Sequence, residues 1–137
     1  SKADDLDFQK LLRPIPLTAK FELPDYYVWC GTLTRGDDGK YRAIVKDNEG
    51  YFTNVGKSLA LFESADGLDW KLSAHPLVAT MDVRWANGQQ QKLNSLERPQ
   101  LWFEKGKPVV LLSAADVSTT RDYSFNLQIP LLPIQQK

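Results

Sequence analysis

The chain of 137 residues contains one cysteine, one histidine and one methionine. A single Cys30 excludes an intrachain disulfide and a thiolate metal cluster. It sits in an apolar run, which predicts a buried core thiol rather than a nucleophile. A lone His75 excludes a histidine-rich metal site. No phosphate-binding glycine motif, paired-cysteine pattern or Gly-x-Ser-x-Gly elbow occurs, so neither a metal nor a cofactor is expected. Charge of one sign is also lacking. Seventeen basic and seventeen acidic residues give a formal net charge of zero, which leaves no positive field for a phosphate backbone and disfavours nucleic acid. No apolar run is long enough to span a bilayer, so no membrane partner is expected. No sustained helical periodicity and no low-complexity linker appear. The polar, acidic start shows no signal peptide; the chain is expected to be cytoplasmic, or else secreted or periplasmic after removal of a signal.

What the chain does have is a strand–turn–strand unit that occurs twice. The first copy runs Tyr26-Tyr27-Val28-Trp29-Cys30-Gly31-Thr32-Leu33, turns through Gly36-Asp37-Asp38-Gly39-Lys40 and returns as Tyr41 to Asp47. The second runs Gln100-Leu101-Trp102-Phe103, turns through Glu104-Lys105-Gly106-Lys107 and returns as Pro108 to Ala114. Between them residues 58–63 form a further strand. Ser64-Ala65-Asp66-Gly67-Leu68-Asp69-Trp70 then turns into a short outer strand ending near Leu72, with Trp70 folded back as an apolar anchor. His75-Pro76-Leu77 is expected to leave the sheet. Asn87-Gly88 predicts a hairpin between Met81–Trp85 and Gln89–Leu93. Tyr123 to Ile129 alternates as a further strand. The reading is all-β: a partial β-propeller of about two to three four-stranded antiparallel blades. Residues 1–24, interrupted by Pro14, Pro16 and Pro24, read as an extended lead-in, and residues 25–137 as one domain of blades.

Carboxylates and aromatics are the chemical tools left, and together they suit carbohydrate. Asp25 and Glu97 stand at related positions, each just before the first strand of a copy, where both could point into one axial cavity as an acid and base pair. The alternative is that Asp25 caps a turn after Pro24 and Glu97 pairs with Arg98 or another surface cation. His75 is either a packed turn residue or a general acid. Arg98, Trp29, Trp102 and Asp47 are candidate substrate contacts, against ion-pair, core and turn-capping alternatives.

Tyr41-Arg42-Ala43-Ile44-Val45-Lys46-Asp47, Leu59 to Lys71, His75-Pro76-Leu77 and Leu96-Glu97-Arg98-Pro99-Gln100-Leu101 resemble the closing blades of five-bladed propeller glycosidases. The relatives are glycoside hydrolases of the family 43 and family 117 type, and the resemblance covers residues 22–129. It implies an axial pocket with a base, a pKa-tuning Asp and a proton-donating Glu; in the family 117 type a His serves as acid. It places Asp25 among the pocket-facing acids and Glu97-Arg98 as a substrate-contacting pair. The third acidic member has no assigned position. Such enzymes are roughly twice this length, so the expectation is either loss of the middle blades, joined near Tyr41-Arg42, or one contiguous fragment of a propeller. A ring of two blades cannot close, so a homo-oligomer, a dimer or trimer, is expected to cover the open strand edges. The functional expectation is carboxylate-driven hydrolysis of poly- or oligosaccharides. The alternative is a non-catalytic carbohydrate-binding or structural remnant of such an enzyme.

Overall fold

The structure, a computed structural model, describes residues 20–21 and 29–131. Among the described residues it is all-β, with no helix. Ten strands follow in order: β1 Lys20–Phe21, β2 Trp29–Arg35, β3 Tyr41–Asp47, β4 Ser58–Ser64, β5 Asp69–Thr80, β6 Asp82–Arg84, β7 Gln90–Lys92, β8 Ser95–Glu104, β9 Lys107–Asp116 and β10 Ser124–Pro130. They form three sheets. The largest has the order β1-β5-β4-β3-β2, the second β10-β9-β8, and β6 and β7 make a separate hairpin. From β2 to β5 each strand pairs antiparallel with the next, a simple meander. The strand β1 adds two parallel residues beside Asp69 and Trp70.

The two large sheets meet along their edge strands β2 and β8. A buried cluster joins them. Ile44 and Leu59 come from the first sheet, and Leu96, Leu111, Ala115 and Leu127 from the second, with Met81 and Leu93 completing it. Leu59, Leu96 and Leu111 are completely buried; each contributes about 2 kcal/mol of apolar burial. Residues one step out of phase make a second cluster: Ala43, Val45, Ala60, Phe62 and Trp70, with Phe52 from the β3–β4 loop. Phe52 and Phe62 meet edge to face, centroids 5.1 Å apart. The strand β4 is therefore covered on both faces, which is why its sequence does not alternate cleanly between apolar and polar residues. The edge strand β10 does alternate.

The turn at Asp66-Gly67 forms as its residues predict. Asp66 Oδ1 accepts the amides of Leu68 (2.8 Å) and Asp69 (2.9 Å), and Gly67 takes φ +80°. Trp70 folds back, 3% exposed, and its indole Nε1–H donates to the Gly67 carbonyl at 3.1 Å. The Asn87-Gly88 hairpin also forms, between β6 and β7.

Two expectations are corrected. His75-Pro76-Leu77 does not leave the sheet but continues β5, a strand of 12 residues. A proline fits there because the pairing with β4 shifts register between Ala60 and Phe62, and β1 covers β5 only at Asp69 and Trp70. The missing N–H of Pro76 thus falls at an irregularity on a largely open edge. Likewise, Leu96-Glu97-Arg98-Pro99 does not precede the strand but lies inside β8. A bulge between Glu97 and Gln100 lets the strand pass through Arg98, at φ +50°, and the buried Pro99. The lead-in outside Lys20–Phe21 lies outside the described residues.

Candidate functional site

The bulge in β8 aims the Glu97 carboxylate at the first sheet. Ser113 on β9 holds the bulge, its hydroxyl donating to the Glu97 carbonyl at 2.7 Å. Lys46 on β3 reaches across with Nζ 2.9 Å from Glu97 Oε1. Arg121 approaches from the β9–β10 loop, Nη2 3.3 Å from the same oxygen. Both cations converge on Oε1, and no hydrogen bond to Oε2 is found among the described residues. The Lys46 hydrogen bond, aided by the charges of Lys46, Arg121 and Arg98, holds the Glu97 carboxyl below its ordinary value of 4.5 against the opposing effect of burial. Glu97 is therefore ionised at neutral pH. That state suits a base, a nucleophile or a hydrogen-bond acceptor and is wrong for a proton donor.

Arg121 is positioned by Asp116, the last residue of β9. Asp116 is 2% exposed. Its Oδ1 accepts the Ser118 amide at 2.6 Å, and its Oδ2 accepts the Ser124 hydroxyl at 2.7 Å. These bonds, the Ser124 one foremost, lower the Asp116 pKa. They pin both ends of the loop that carries Arg121, itself at φ +62°. A small recess of about 70 Å³ lies here, lined by Ser95, Glu97, Asp116, Arg121 and Ser124. Ser124 also borders a wide cleft of about 600 Å³ formed with Trp85, Gln91, Asp122, Tyr123 and Phe125. Trp85 and Phe125 lie tilted at 6.0 Å, Trp85 Nε1–H donates to Gln91 Oε1 at 2.9 Å, and Tyr123 is 68% exposed. The charged recess and the open aromatic cleft have Ser124 as a common lining residue.

The other sequence candidates scatter. Arg98 adjoins Glu97, but its side chain is exposed at the bulge. Asp47 is completely buried and committed to its own loop. It accepts the amides of Tyr51 (2.8 Å), Phe52 (2.9 Å) and Thr53 (3.0 Å), and the Thr53 hydroxyl at 3.1 Å. That is the turn-capping alternative, and it leaves no carboxylate oxygen for a substrate. His75 is exposed on β5, which β4 and β3 separate from β2, so the fold does not bring it to Glu97. Trp102 is on the same strand as Glu97 and 59% exposed, far out along β8. Asp25 lies outside the described residues, and Trp29 is described only as backbone in β2. Among the described residues no group of three or more His, Cys, Asp or Glu side chains is placed to hold a metal, and no helix is long and apolar enough to cross a membrane.

Sequence reasoning missed Lys46, Arg121 and Asp116. Lys46 was legible only as a neighbour of Asp47. For Asp116 a signal existed: an acidic residue closing an apolar strand, followed two and eight positions later by Ser118 and Ser124, is the pattern of a loop-pinning carboxylate. No protein-family model, curated protein or solved structure matches the chain.

Proposed function

We propose that this chain is a carbohydrate-binding part-propeller that takes an oligosaccharide across the Glu97 recess and the Trp85–Tyr123 cleft. The observation that carries the reading is that Ser124, the first residue of β10, lines both. Lys46 and Arg121 offer donors and Glu97 an ionised acceptor, the set that sugar hydroxyls need. The exposed Tyr123 ring offers a flat apolar face for the C–H side of a pyranose. The meander β2–β5 and the sheet β8–β10, meeting along β2 and β8, support a reading as two neighbouring blades.

Hydrolysis is the second reading, and the ionised Glu97 is what favours it. Glycosidic cleavage also needs a carboxyl group held protonated. Glu97 and Asp116 are both held ionised, and His75 is remote, so of the sequence candidates Asp25 is left as the proton donor. We also propose that the chain self-associates. Trp102, Val110 and Leu112 lie in register on one face of the β8–β10 sheet, and Trp102 is largely exposed. A second copy packed there would complete the ring.

Calorimetric titration with a panel of neutral and acidic oligosaccharides, run beside a reducing-sugar release assay, tests these readings. Binding without release, weakened by Glu97→Gln and about fivefold by Tyr123→Ala, is the expected result. Release that Glu97→Gln abolishes would put hydrolysis first. No binding across the panel refutes both. Light scattering tests the assembly, and a monomer at micromolar concentration refutes it.

A further inference from the structure

We propose that the space between the two long hairpin ends is a second ligand site, for a small apolar molecule carrying one hydrogen-bond donor, such as a phenol or an indole. This site does not depend on the carbohydrate reading. The β2–β3 turn and the β8–β9 turn come together at one end of the paired sheets, so closely that a Cβ placed on Gly106 would collide with Asp37 Oδ2 and lie 3.1 Å from its Cγ. Beneath the turns is a cavity of about 410 Å³. Its floor is Ile44, Leu61, Val78, Leu101, Phe103 and Leu131, drawn from both sheets and from the chain just beyond β10. Ile44 is buried, yet Leu61, Val78, Leu101 and Leu131 are only half-buried. The sheets that close tightly around Leu59 and Leu96 therefore leave a gap at this end.

The volume lies within the range of small-molecule pockets, about 300–1000 Å³. The floor has no polar partner for a buried charge or for several hydroxyls, so an ion or a sugar would be left unsatisfied inside. An apolar recess also holds water poorly. Thr34, Asp37, Asp38, Arg42 and Lys107 also line the space, and their polar groups differ in availability. Asp38 is consumed by Arg42, at 2.7 and 3.1 Å, and by the Lys40 amide at 3.1 Å. Asp37 makes no hydrogen bond or ion pair among the described residues, so its carboxylate is a free acceptor at the rim. An apolar body with one N–H or O–H donor satisfies both the floor and the rim. Leu101 lies four residues along β8 from Glu97, on the order of 13 Å, so the two sites are separate.

Two-dimensional amide NMR of the full chain, titrated with indole and with 1-methylindole, tests the proposal. Expected are saturable shifts confined to the Gly36, Val78, Gly106 and Leu131 amides, with 1-methylindole about fivefold weaker because it lacks the donor. Asp37→Ala should remove that preference and leave the shifts at the same amides. Val78→Phe, which fills the recess, should weaken indole binding at least about tenfold while the spectrum stays dispersed; Leu101→Phe serves if that variant does not fold. Shifts that do not saturate, or that fall elsewhere, overturn the proposal. So does a folded Val78→Phe or Leu101→Phe variant that binds indole as the parent does.

Discussion

Replacing Asp47 should unfold the β3–β4 connection, whatever the protein binds. The side chain accepts four hydrogen bonds, three of them from consecutive backbone amides at 51–53. Within the same loop the Asn54 amide donates to the Gly50 carbonyl at 2.9 Å. Each bond to Asp47 is worth about 0.5–1.5 kcal/mol net, and a buried donor left without a partner costs about 1–3 kcal/mol. The Phe52 amide bond is buried, while those of Tyr51 and Thr53 are part-buried, so water can replace some of what is lost. Asp47→Ala should therefore cost about 3–5 kcal/mol, a large share of the roughly 5–15 kcal/mol of a typical domain. Asp47→Asn keeps one carbonyl acceptor and should cost about half as much. Phe52 should also loosen, since its ring packs on Phe62 and its amide is one of those released. Urea unfolding followed by tryptophan fluorescence, with a thermal scan alongside, gives the magnitude. An Asp47→Ala variant within about 1 kcal/mol of the parent would refute the account, since surface substitutions fall inside that range.

Two further outcomes follow. Gly50 sits at φ +72°, and a Cβ there would strike the Gly56 backbone nitrogen and come within 2.5 Å of its Cα; Gly50→Ala should cost about 2–4 kcal/mol, whereas Gly39→Ala, with open space around it, should cost about 1 kcal/mol on the same urea curve. Stability should fall on acidification: Glu97 is held below 4.5, Asp66 and Asp116 below 3.8, and Asp38 down at about 2 through Arg42. The unfolded chain therefore binds more protons than the native one as pH drops from about 5 towards 2, so these groups stabilise the fold above that window and lose their contribution within it. A denaturation midpoint that is flat between pH 6 and pH 3 would contradict the hydrogen bonds described here.

The turns and most strands were written in the local sequence, because each is set by a few adjacent residues. Asp66-Gly67 and Asn87-Gly88 fix their turns through positive φ and side-chain-to-amide bonds. The strand through Tyr41–Lys46 reads from its place after the Gly-Asp-Asp-Gly turn, and Tyr123–Ile129 from its alternation. The all-β character, the two matching hairpins and the anchor role of Trp70 follow from such local rules alone. What the sequence left open was everything that depends on distant partners. His75 and Glu97 looked like possible neighbours until three intervening strands were laid side by side. Asp47 stood as a candidate ligand against the turn-capping reading until its four donors were seen. The irregular backbone at Glu97–Pro99 is held by Ser113, and Glu97 itself by Lys46 and Arg121, 51 and 24 residues away in sequence. No spacing along a strand reports such contacts. A hydrogen bond acts over about 3 Å of space, and only the packing of the two sheets decides which residues come that close.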